Sequence, residues 1–135
     1  MQTTSKIITE KAEEMKFDKT VLIVEDDYIS YRVLKYIVSK TGAKIIWAQN
    51  GAEAIDICEK NPEIDLVFMD ISIPEMDGLE ATRKIKKIRK ELPIIIQTAY
   101  TDFKERGIKA GCSDYINKPF NKEIIYQLLQ KFMGE

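Results

Sequence analysis

The chain has 135 residues, of which 44% are apolar and 32% charged, and its 21 cations and 22 anions leave a net charge of −1. This length allows one domain of ordinary size, and the apolar content excludes an intrinsically disordered chain. The balanced charge gives no overall attraction to nucleic acid or to an anionic membrane. No apolar run approaches the roughly 18 residues of a membrane span, and the N-terminus lacks the apolar stretch of a signal peptide. We therefore expect a cytoplasmic protein.

Histidine is absent from the chain. Its absence excludes a Ser-His-Asp or Cys-His catalytic site and any metal site built on histidine, and the chain cannot itself supply a phosphohistidine. Cys58 and Cys112 form no Cys-x-x-Cys pair. We expect both to be buried free thiols in a reducing compartment.

The chain begins with a polar segment and then alternates between strand-like and helix-like patterns. Residues 1–17 are expected to be an N-terminal tail or linker, and 18–135 to be the folded domain. Short apolar runs with the character of buried strands recur along that domain. They cover 20–24, 44–49, 65–69, 93–98 and 114–117.

Helical spacing follows each of these runs. Apolar residues four apart predict a first helix, with Asp27 as a candidate N-cap. They are Ile29, Val33 and Ile37, with Leu34 and Val38 beside them. Asn50 opens a second helix and Asn121 a fifth. The apolar face of the fifth helix is predicted to contain Ile124, Ile125, Leu128, Leu129 and Phe132. A third helix starts at about Gly78, and its apolar positions are Ala81, Ile85, Ile88 and Leu92. A weaker fourth helix covers about 102–110, with Phe103 and Ile108 as its strong apolar anchors.

Five strands alternating with five helices predict a parallel sheet that is covered on both faces. Right-handed crossover connections leave few topologies for such a chain. We expect an α/β fold of the flavodoxin-like (βα)5 type, a three-layer sandwich whose five-stranded sheet has the order 2-1-3-4-5.

Acidic residues follow two of these strands. The third ends in Asp70, and the first is followed by Glu25, Asp26 and Asp27. Because these strands are neighbours in the predicted order, the acids converge at one edge of the sheet. Two carboxylates 4 Å apart repel by about 4 kcal/mol at an effective dielectric near 20, so we expect a cation among them. All-oxygen ligands favour a partly hydrated Mg²⁺. The alternative is a polar turn and helix cap, which stays open above all for Asp27.

The two remaining strand ends carry groups of matching chemistry. Thr98 ends the fourth strand and Lys118 follows the fifth. A hydroxyl and an ammonium group opposite a metal-bound carboxylate can hold the oxygens of a phosphoryl group. Taken singly, Thr98 could be an ordinary strand-end residue and Lys118 a solvated surface cation.

Four stretches in this order, VLIVEDD, LVFMDISIPEMDG, QTA and NKPF, resemble the receiver domain of two-component response regulators. The resemblance covers about 19–133, so the folded domain over 18–135 is identified as a receiver domain. The stretches IPEMDGLEATRKIK and QTAY with AGCSDYINKP are most similar to the receivers of hybrid sensor histidine kinases. A free single-domain regulator and a phosphorelay shuttle stay open as alternatives.

The resemblance implies a phosphoacceptor that takes its phosphoryl group from a phosphohistidine on a histidine kinase or a histidine phosphotransfer protein. Asp70 is the acceptor in this reading. Glu25 and Asp26 form the acidic pair that organises Mg²⁺ together with Asp70, and the backbone carbonyl of Ser72 completes the protein ligands. A carboxylate is ionised at neutral pH, so no general base is needed.

The resemblance also implies how the signal is passed on. Thr98 and Lys118 contact the phosphoryl oxygens, and the Lys118–Pro119 peptide bond is cis. Thr98 and Tyr115 then move, and the face formed by the fourth helix, fifth strand and fifth helix (the α4-β5-α5 face) selects a downstream protein. Tyr115 could instead be a half-buried aromatic of the strand.

Two further positions would tune the lifetime of the phosphorylated state. Ser72 and Tyr100 lie two residues after the acceptor and two after Thr98. Bulky Tyr100 would shield the acyl phosphate from water, unless it is an exposed loop aromatic. The segment from Thr98 to Gly111 is about two residues shorter than is usual in receivers. We therefore expect the fourth helix to be short or mobile.

Several other functions compete with this one. RKIKKIRK (83–90) contains six cations, but Ile85 and Ile88 are predicted to point inward, which favours a solvated helix face over a nucleic-acid site. A Mg²⁺-dependent phosphatase of the haloacid dehalogenase kind would need a second acid where Ser72 stands. A flavodoxin-like cofactor binder would need a glycine-rich loop after the first strand. A receiver-like module that binds partners without phosphorylation also stays open. None of the favoured readings is an enzyme beyond its own phosphorylation and dephosphorylation.

Overall fold

The computed structural model describes residues 17–71, 78–99, 104–119 and 121–134. Within these residues five strands alternate with five helices. In chain order they are β1 (Thr20–Val24), α1 (Tyr28–Ser39), β2 (Lys44–Ala48), α2 (Gly51–Lys60), β3 (Ile64–Asp70), α3 (Gly78–Ile88), β4 (Ile94–Thr98), α4 (Lys104–Ala110), β5 (Asp114–Asn117) and α5 (Lys122–Met133).

The strands form one sheet of order β2-β1-β3-β4-β5, and every neighbouring pair is parallel. The predicted flavodoxin-like α/β fold is therefore confirmed. None of the helices in the described part of the chain has the length and apolarity that a membrane crossing requires.

Apolar side chains cover the sheet on both faces, which explains why its central strands read as uninterrupted apolar runs. Val21 and Phe68 point into the core beneath α1 and α5. Leu22 and Met69, one position along each strand, point into the core beneath α2 and α3. Because both faces are buried, only the ends of the strands can carry polar groups to the surface.

The helix starts follow the predicted capping pattern. In each case a side-chain oxygen of the capping residue accepts a hydrogen bond from the backbone N–H three residues on. The pairs are Asp27 with Ser30, Asn50 with Glu53, and Asn121 with Ile124. The alternative role of Asp27 as a helix cap is thus the one that the structure shows.

The apolar stripe predicted for α1 is only partly buried. Ile37 is 8% exposed, whereas Val33 is 50% and Ile29 71% exposed. Residues four apart advance by more than one helical turn, so Ile29 and Ile37 point about 80° apart around the helix. Leu34 and Val38, which were predicted beside this stripe, are buried together with Ile37, and Tyr31 completes the buried face.

Four other side chains are more exposed than predicted. Ile88 is 46% exposed and is the last residue of α3. Leu92 is buried as predicted, but it belongs to the loop that follows the helix. Ile108 is exposed because α4 packs through Gly107 and Ala110. Ile124 lies at the outer edge of α5, and Cys112 is half-buried, whereas Cys58 is buried; both thiols are free. Phe103 lies outside the described residues.

Part of the cationic stretch at the end of α3 binds the protein itself. The guanidinium of Arg89 donates hydrogen bonds to the backbone carbonyls of Asn61, Pro62 and Ile64. The ammonium of Lys86 donates to the carbonyl of Leu92. The Arg89 contacts tie the end of α3 to the start of β3 and the loop before it, and the Lys86 contact ties α3 to the loop that precedes β4.

The start of α3 approaches the end of β3 very closely. A Cβ atom added to Gly78 would lie 2.7 Å from the Cα of Ile71 and would also collide with the carbonyl oxygen of Asp70. Both neighbours are backbone, so neither can move out of the way cheaply. Glycine at this position is what allows α3 to begin against the strand that carries Asp70.

We predict that Gly78→Ala lowers the free energy of unfolding by about 1–3 kcal/mol, because the new methyl group must displace backbone. Urea denaturation measures this change. Lys87→Ala, on the exposed side of the same helix, is the matched control and should leave the stability within about 0.5 kcal/mol. Equal stability of the two variants would contradict the close approach.

Candidate functional site

Four polar residues meet at the carboxyl edge of the sheet. Asp70 and Thr98 are the last residues of β3 and β4. Glu25 and Lys118 are the first residues after β1 and β5. Because β1, β3, β4 and β5 are successive neighbours, parallel pairing brings all four residues to the same edge.

The acids form a compact group. Glu25, Asp26 and Asp70 can each offer one carboxylate oxygen such that the three atoms lie within 4.8 Å of one another. Glu25 is 2% and Asp70 4% exposed, whereas Asp26 is exposed. The group therefore has a buried floor and an open rim, which is the arrangement that a solvent-accessible ion or substrate requires.

Lys118 supplies the charge that offsets the two buried acids. Its Nζ lies 2.8 Å from an oxygen of Glu25 and 3.1 Å from an oxygen of Asp70. Its backbone N–H donates to the carbonyl of Thr98 at 2.7 Å, which extends the pairing of β4 with β5 by one residue. The structure thus places Lys118 inside the acidic group rather than on the open surface.

The protonation of this group reflects burial and charge. Burial raises the pKa of Glu25 from 4.5 to about 7; the hydrogen bond from Lys118 opposes this rise, and the negative charge of Asp70 adds to it. Burial alone would lower the pKa of Lys118, but its bonds to Glu25 and Asp70 outweigh burial and raise it. Lys118 therefore stays charged while Glu25 can exchange a proton near neutral pH.

Asp27 turns away from the acidic group. Its carboxylate accepts hydrogen bonds from the backbone N–H and the hydroxyl of Ser30, at 2.9 and 2.7 Å. These bonds lower the pKa of Asp27, the hydroxyl having the larger effect. Its own backbone N–H donates to Glu25, so the residue shapes the turn without joining the possible ligands.

The two residues of the predicted switch, Thr98 and Tyr115, lie on the neighbouring strands β4 and β5. Thr98 is 1% exposed. Tyr115 packs partly buried against a small apolar cluster that includes Ile96 and Ala110, and the ammonium of Lys104 sits 5.4 Å from the centre of its ring. Tyr115 is thus a half-buried strand aromatic in contact with α4, and its movement stays a prediction.

Three predicted positions close the description of the site. The Lys118–Pro119 peptide bond is cis. Ser72 and Tyr100 lie outside the described residues, so the carbonyl ligand and the tuning of lifetime stay predictions.

One contact that the sequence did not indicate is made by Trp47, whose indole N–H donates to the backbone carbonyl of Glu25. No motif marks that tryptophan, because only the pairing of β2 with β1 brings it there.

The acidic group fits a hard divalent cation. Its donors are carboxylate oxygens, without the thiolate or imidazole that softer metals prefer. Mg²⁺ binds through one or two carboxylates and keeps several waters, and an open rim leaves space for them. A divalent charge would also relieve the repulsion among the acids more fully than Lys118 does alone.

We predict that the metal-free protein loses stability as the pH rises from about 4.5 to about 7. The raised pKa of Glu25 means that the folded state holds its proton more tightly than the unfolded state, and this advantage disappears on deprotonation. The loss should be on the order of 1–3 kcal/mol. Urea unfolding in EDTA at pH 5 and pH 8 measures it.

Glu25→Gln should flatten this pH dependence, since an amide does not titrate. Glu59→Gln, which changes an exposed carboxyl on α2, is the matched control and should keep the wild-type slope. A stability difference between wild type and Glu25→Gln that is the same at both pH values would contradict the shifted pKa.

Comparison with known proteins gives the family. The family model of the response regulator receiver domain matches residues 21–130. Histidine kinase 3 of Arabidopsis thaliana is 32% identical over 140 residues, which cover 86% of this chain and 14% of that protein. The polar-differentiation response regulator DivK of Brucella anthropi is 31% identical over 121 residues, covering 87% of this chain and 98% of DivK. The chain therefore spans about one seventh of the plant kinase and nearly all of DivK.

Solved structures agree with these relatives. The receiver domain of sensor histidine kinase PA1611 from Pseudomonas aeruginosa, solved with a magnesium ion in its active site cleft, has a TM-score of 0.80 and 29% identity, covering 87% of this chain and 98% of that one. A chain in the Saccharomyces cerevisiae co-crystal of the phosphotransfer protein Ypd1 with the receiver domain of Ssk1 has a TM-score of 0.82 and 27% identity, covering 89% and 92%. Sequence, fold and the acids at the sheet edge lead to one conclusion: this chain belongs to the family of response regulator receiver domains of two-component signalling.

Proposed function

We propose that Asp70 accepts a phosphoryl group from a phosphohistidine. The observation that carries this proposal is the placement of Asp70, 4% exposed, among the acids and 3.1 Å from the ammonium of Lys118. A buried carboxylate paired with a cation and bordered by an open acidic rim is suited to in-line transfer. Glu25, Asp26, Asp70 and the carbonyl of Ser72 would hold Mg²⁺.

The transfer balances without an added acid or base. An oxygen of Asp70 forms the new P–O bond while the P–N bond to the donor imidazole breaks, and the electron pair of that bond returns to the imidazole nitrogen. Bound Mg²⁺ supplies electrostatic stabilisation of the phosphoryl oxygens. Lys118 neutralises part of the same charge, and Thr98 donates its hydroxyl to one of those oxygens. Water then attacks the phosphorus of the acyl phosphate, the P–O bond to Asp70 breaks, and inorganic phosphate leaves while the Asp70 carboxylate is restored.

The donor would be a histidine kinase or a histidine phosphotransfer protein that docks beside this site. Of the seven large apolar side chains exposed among the described residues, four lie on α1. Ile29 and Val33 border a hollow of about 400 Å³ that Lys118 and Pro119 also line. An apolar surface next to the acceptor supports docking of a donor there, since the reacting atoms must come within about 3.5 Å.

The phosphorylated domain would pass the signal through the α4-β5-α5 face to a downstream protein. Tyr115 contacts the cluster beneath α4, and Thr98 ends the strand beside it, so movement of either side chain alters that face. We further propose that residues 18–135 form the receiver in a cytoplasmic protein and that residues 1–17 are a tail or linker. Neither nucleic acid nor a membrane would be a partner.

The competing functions lose support at particular positions. Serine, not an acid, stands two residues after Asp70, which counts against a phosphatase of the haloacid dehalogenase kind. Acids rather than a glycine-rich loop follow β1, which counts against a nucleotide cofactor. A receiver-like module without phosphorylation is distinguished by the following experiment.

We predict that the protein incubated with Mg²⁺ and phosphoramidate, a small donor with a P–N bond, gains one phosphoryl group by intact mass. Asp70→Asn should abolish the gain, because an amide cannot form the acyl phosphate. Asp56→Asn, at an exposed acid on α2, should leave it unchanged. A phosphoryl group retained by Asp70→Asn, or none on the wild type, would overturn the proposal.

A second variant tests the role of Lys118. Lys118→Ala should bind Mg²⁺ more tightly, since a competing cation is gone, yet accept phosphoryl groups about tenfold to a hundredfold more slowly, since a charge-assisted bond is lost. Calorimetric titration and the rate of mass gain at saturating Mg²⁺ measure the two effects. Lys122→Ala, an exposed cation on α5, should alter neither. A Lys118→Ala rate equal to that of the wild type would remove Lys118 from the mechanism.

A further inference from the structure

Trp47 is the one tryptophan of the chain and borders the acidic group without being a possible metal ligand. It lies on the edge strand β2, opposite Ile23 of β1. Its indole Nε1 donates a hydrogen bond of 2.8 Å to the backbone carbonyl of Glu25. The contact thus joins the edge strand to the first residue after β1.

The carbonyl of Glu25 lies at a point where strand pairing has ended. The backbone N–H of Glu25 still donates to the carbonyl of Ala48 at 2.9 Å. Ala48 is the last residue of β2, and the chain then reaches Asn50, the cap of α2. The indole N–H takes the place of a backbone donor from β2. The N–H of Glu25 is thus held by the main chain of β2, and its carbonyl by the side chain of Trp47.

This carbonyl belongs to the peptide group that joins Glu25 to Asp26. The peptide is planar, so the direction of its carbonyl sets the orientation of the plane between the two residues. The orientation of this peptide plane sets the directions in which the side chains of Glu25 and Asp26 point away from the backbone. The bond from Trp47 therefore acts on both members of the acidic pair at once.

The indole ring is itself held in place from α1. It stacks on the buried ring of Tyr31, with centroids 4.2 Å apart and an angle of 8° between the planes. Tyr28, the first residue of α1, adds a tilted contact at 5.9 Å. The aromatic group formed by Tyr28, Tyr31 and Trp47 thus contacts the turn from Glu25 to Asp27 at its start and packs on the helix that follows it.

We propose that Trp47 is a positioning residue of the divalent-cation site, which orients the Glu25–Asp26 peptide through its indole N–H. This inference rests on the proposed function, in which Glu25 and Asp26 bind Mg²⁺. In this role the indole would contact the Glu25 carbonyl only, and neither the cation nor the phosphoryl group. Its contribution is to hold the two carboxylates in one arrangement, so that binding the cation requires less ordering of the turn.

Trp47→Phe tests the proposal, because phenylalanine can still pack on Tyr31 but has no donor. The dissociation constant for Mg²⁺ is measured by competition with Mn²⁺, whose free concentration is read by electron paramagnetic resonance. It should rise about threefold to tenfold, the range that one lost hydrogen bond predicts. At saturating Mg²⁺ the rate of phosphorylation by phosphoramidate should stay within about twofold of the wild type, because the reacting groups are unchanged.

Ile46→Val is the matched control. Ile46 precedes Trp47 on β2 and packs on the opposite face of the sheet, so this variant loosens the strand without touching the indole bond. Its Mg²⁺ affinity should equal that of the wild type. Replacement of Trp47 by benzothienylalanine, in which sulfur takes the place of the N–H, keeps the bicyclic shape and provides a second test if phenylalanine packs too loosely.

Each outcome has a distinct meaning. Unchanged Mg²⁺ affinity in both Trp47 variants would overturn the inference and leave the proposed function standing. Equal weakening in Ile46→Val would also overturn it, because the effect would then be general loosening of β2. Failure of the wild type to bind either cation would overturn the proposed function, and the inference with it.

Discussion

The structure depends on a charge imbalance that the fold itself creates. Parallel pairing of β1 with β3 places the buried side chains of Glu25 and Asp70 together at one end of the sheet. Two carboxylates about 4 Å apart repel by roughly 4 kcal/mol at an effective dielectric near 20. A domain of this size is stable by only about 5–15 kcal/mol. The ammonium of Lys118, 2.8 and 3.1 Å from the two acids, offsets the repulsion while leaving one cation against three carboxylates.

That incomplete balance makes the site responsive. A proton on Glu25, a divalent cation at the rim and the proposed phosphoryl group on Asp70 would each change the charge that Lys118 faces. The backbone N–H of Lys118 donates a hydrogen bond to Thr98. Thr98 belongs to β4, which pairs with the strand that contains Tyr115, and Tyr115 in turn packs against α4. In the proposed function, a local change in charge would reach the α4-β5-α5 face by this route.

The predictable part of the molecule is the part set by short-range pattern. Runs such as 20–24 and 114–117 were predicted with the bounds that the structure has, and three helix caps lie where asparagine and aspartate mark them. The exposure of Ile29 and Val33 could not be predicted from spacing, because the apolar stripe of α1 is wider than its buried face and the outer edge of the stripe lies in solvent. The half-buried state of Cys112 and the exposure of Ile108 likewise depend on how α4 packs, which no local spacing encodes.

For this protein the sequence by itself determined the order of strands and helices, the acids, the hydroxyl and the ammonium group at four of the strand ends, and the family, because these follow from period, composition and contiguous motifs. Only the tertiary structure decided that Lys118 bridges Glu25 and Asp70, that Gly78 must lack a side chain, and that Trp47 holds the carbonyl of Glu25. Each of these contacts joins residues brought together by a crossover of the sheet or by a close approach of two backbones. Such distances are set by packing of the whole domain rather than by any stretch of neighbouring residues.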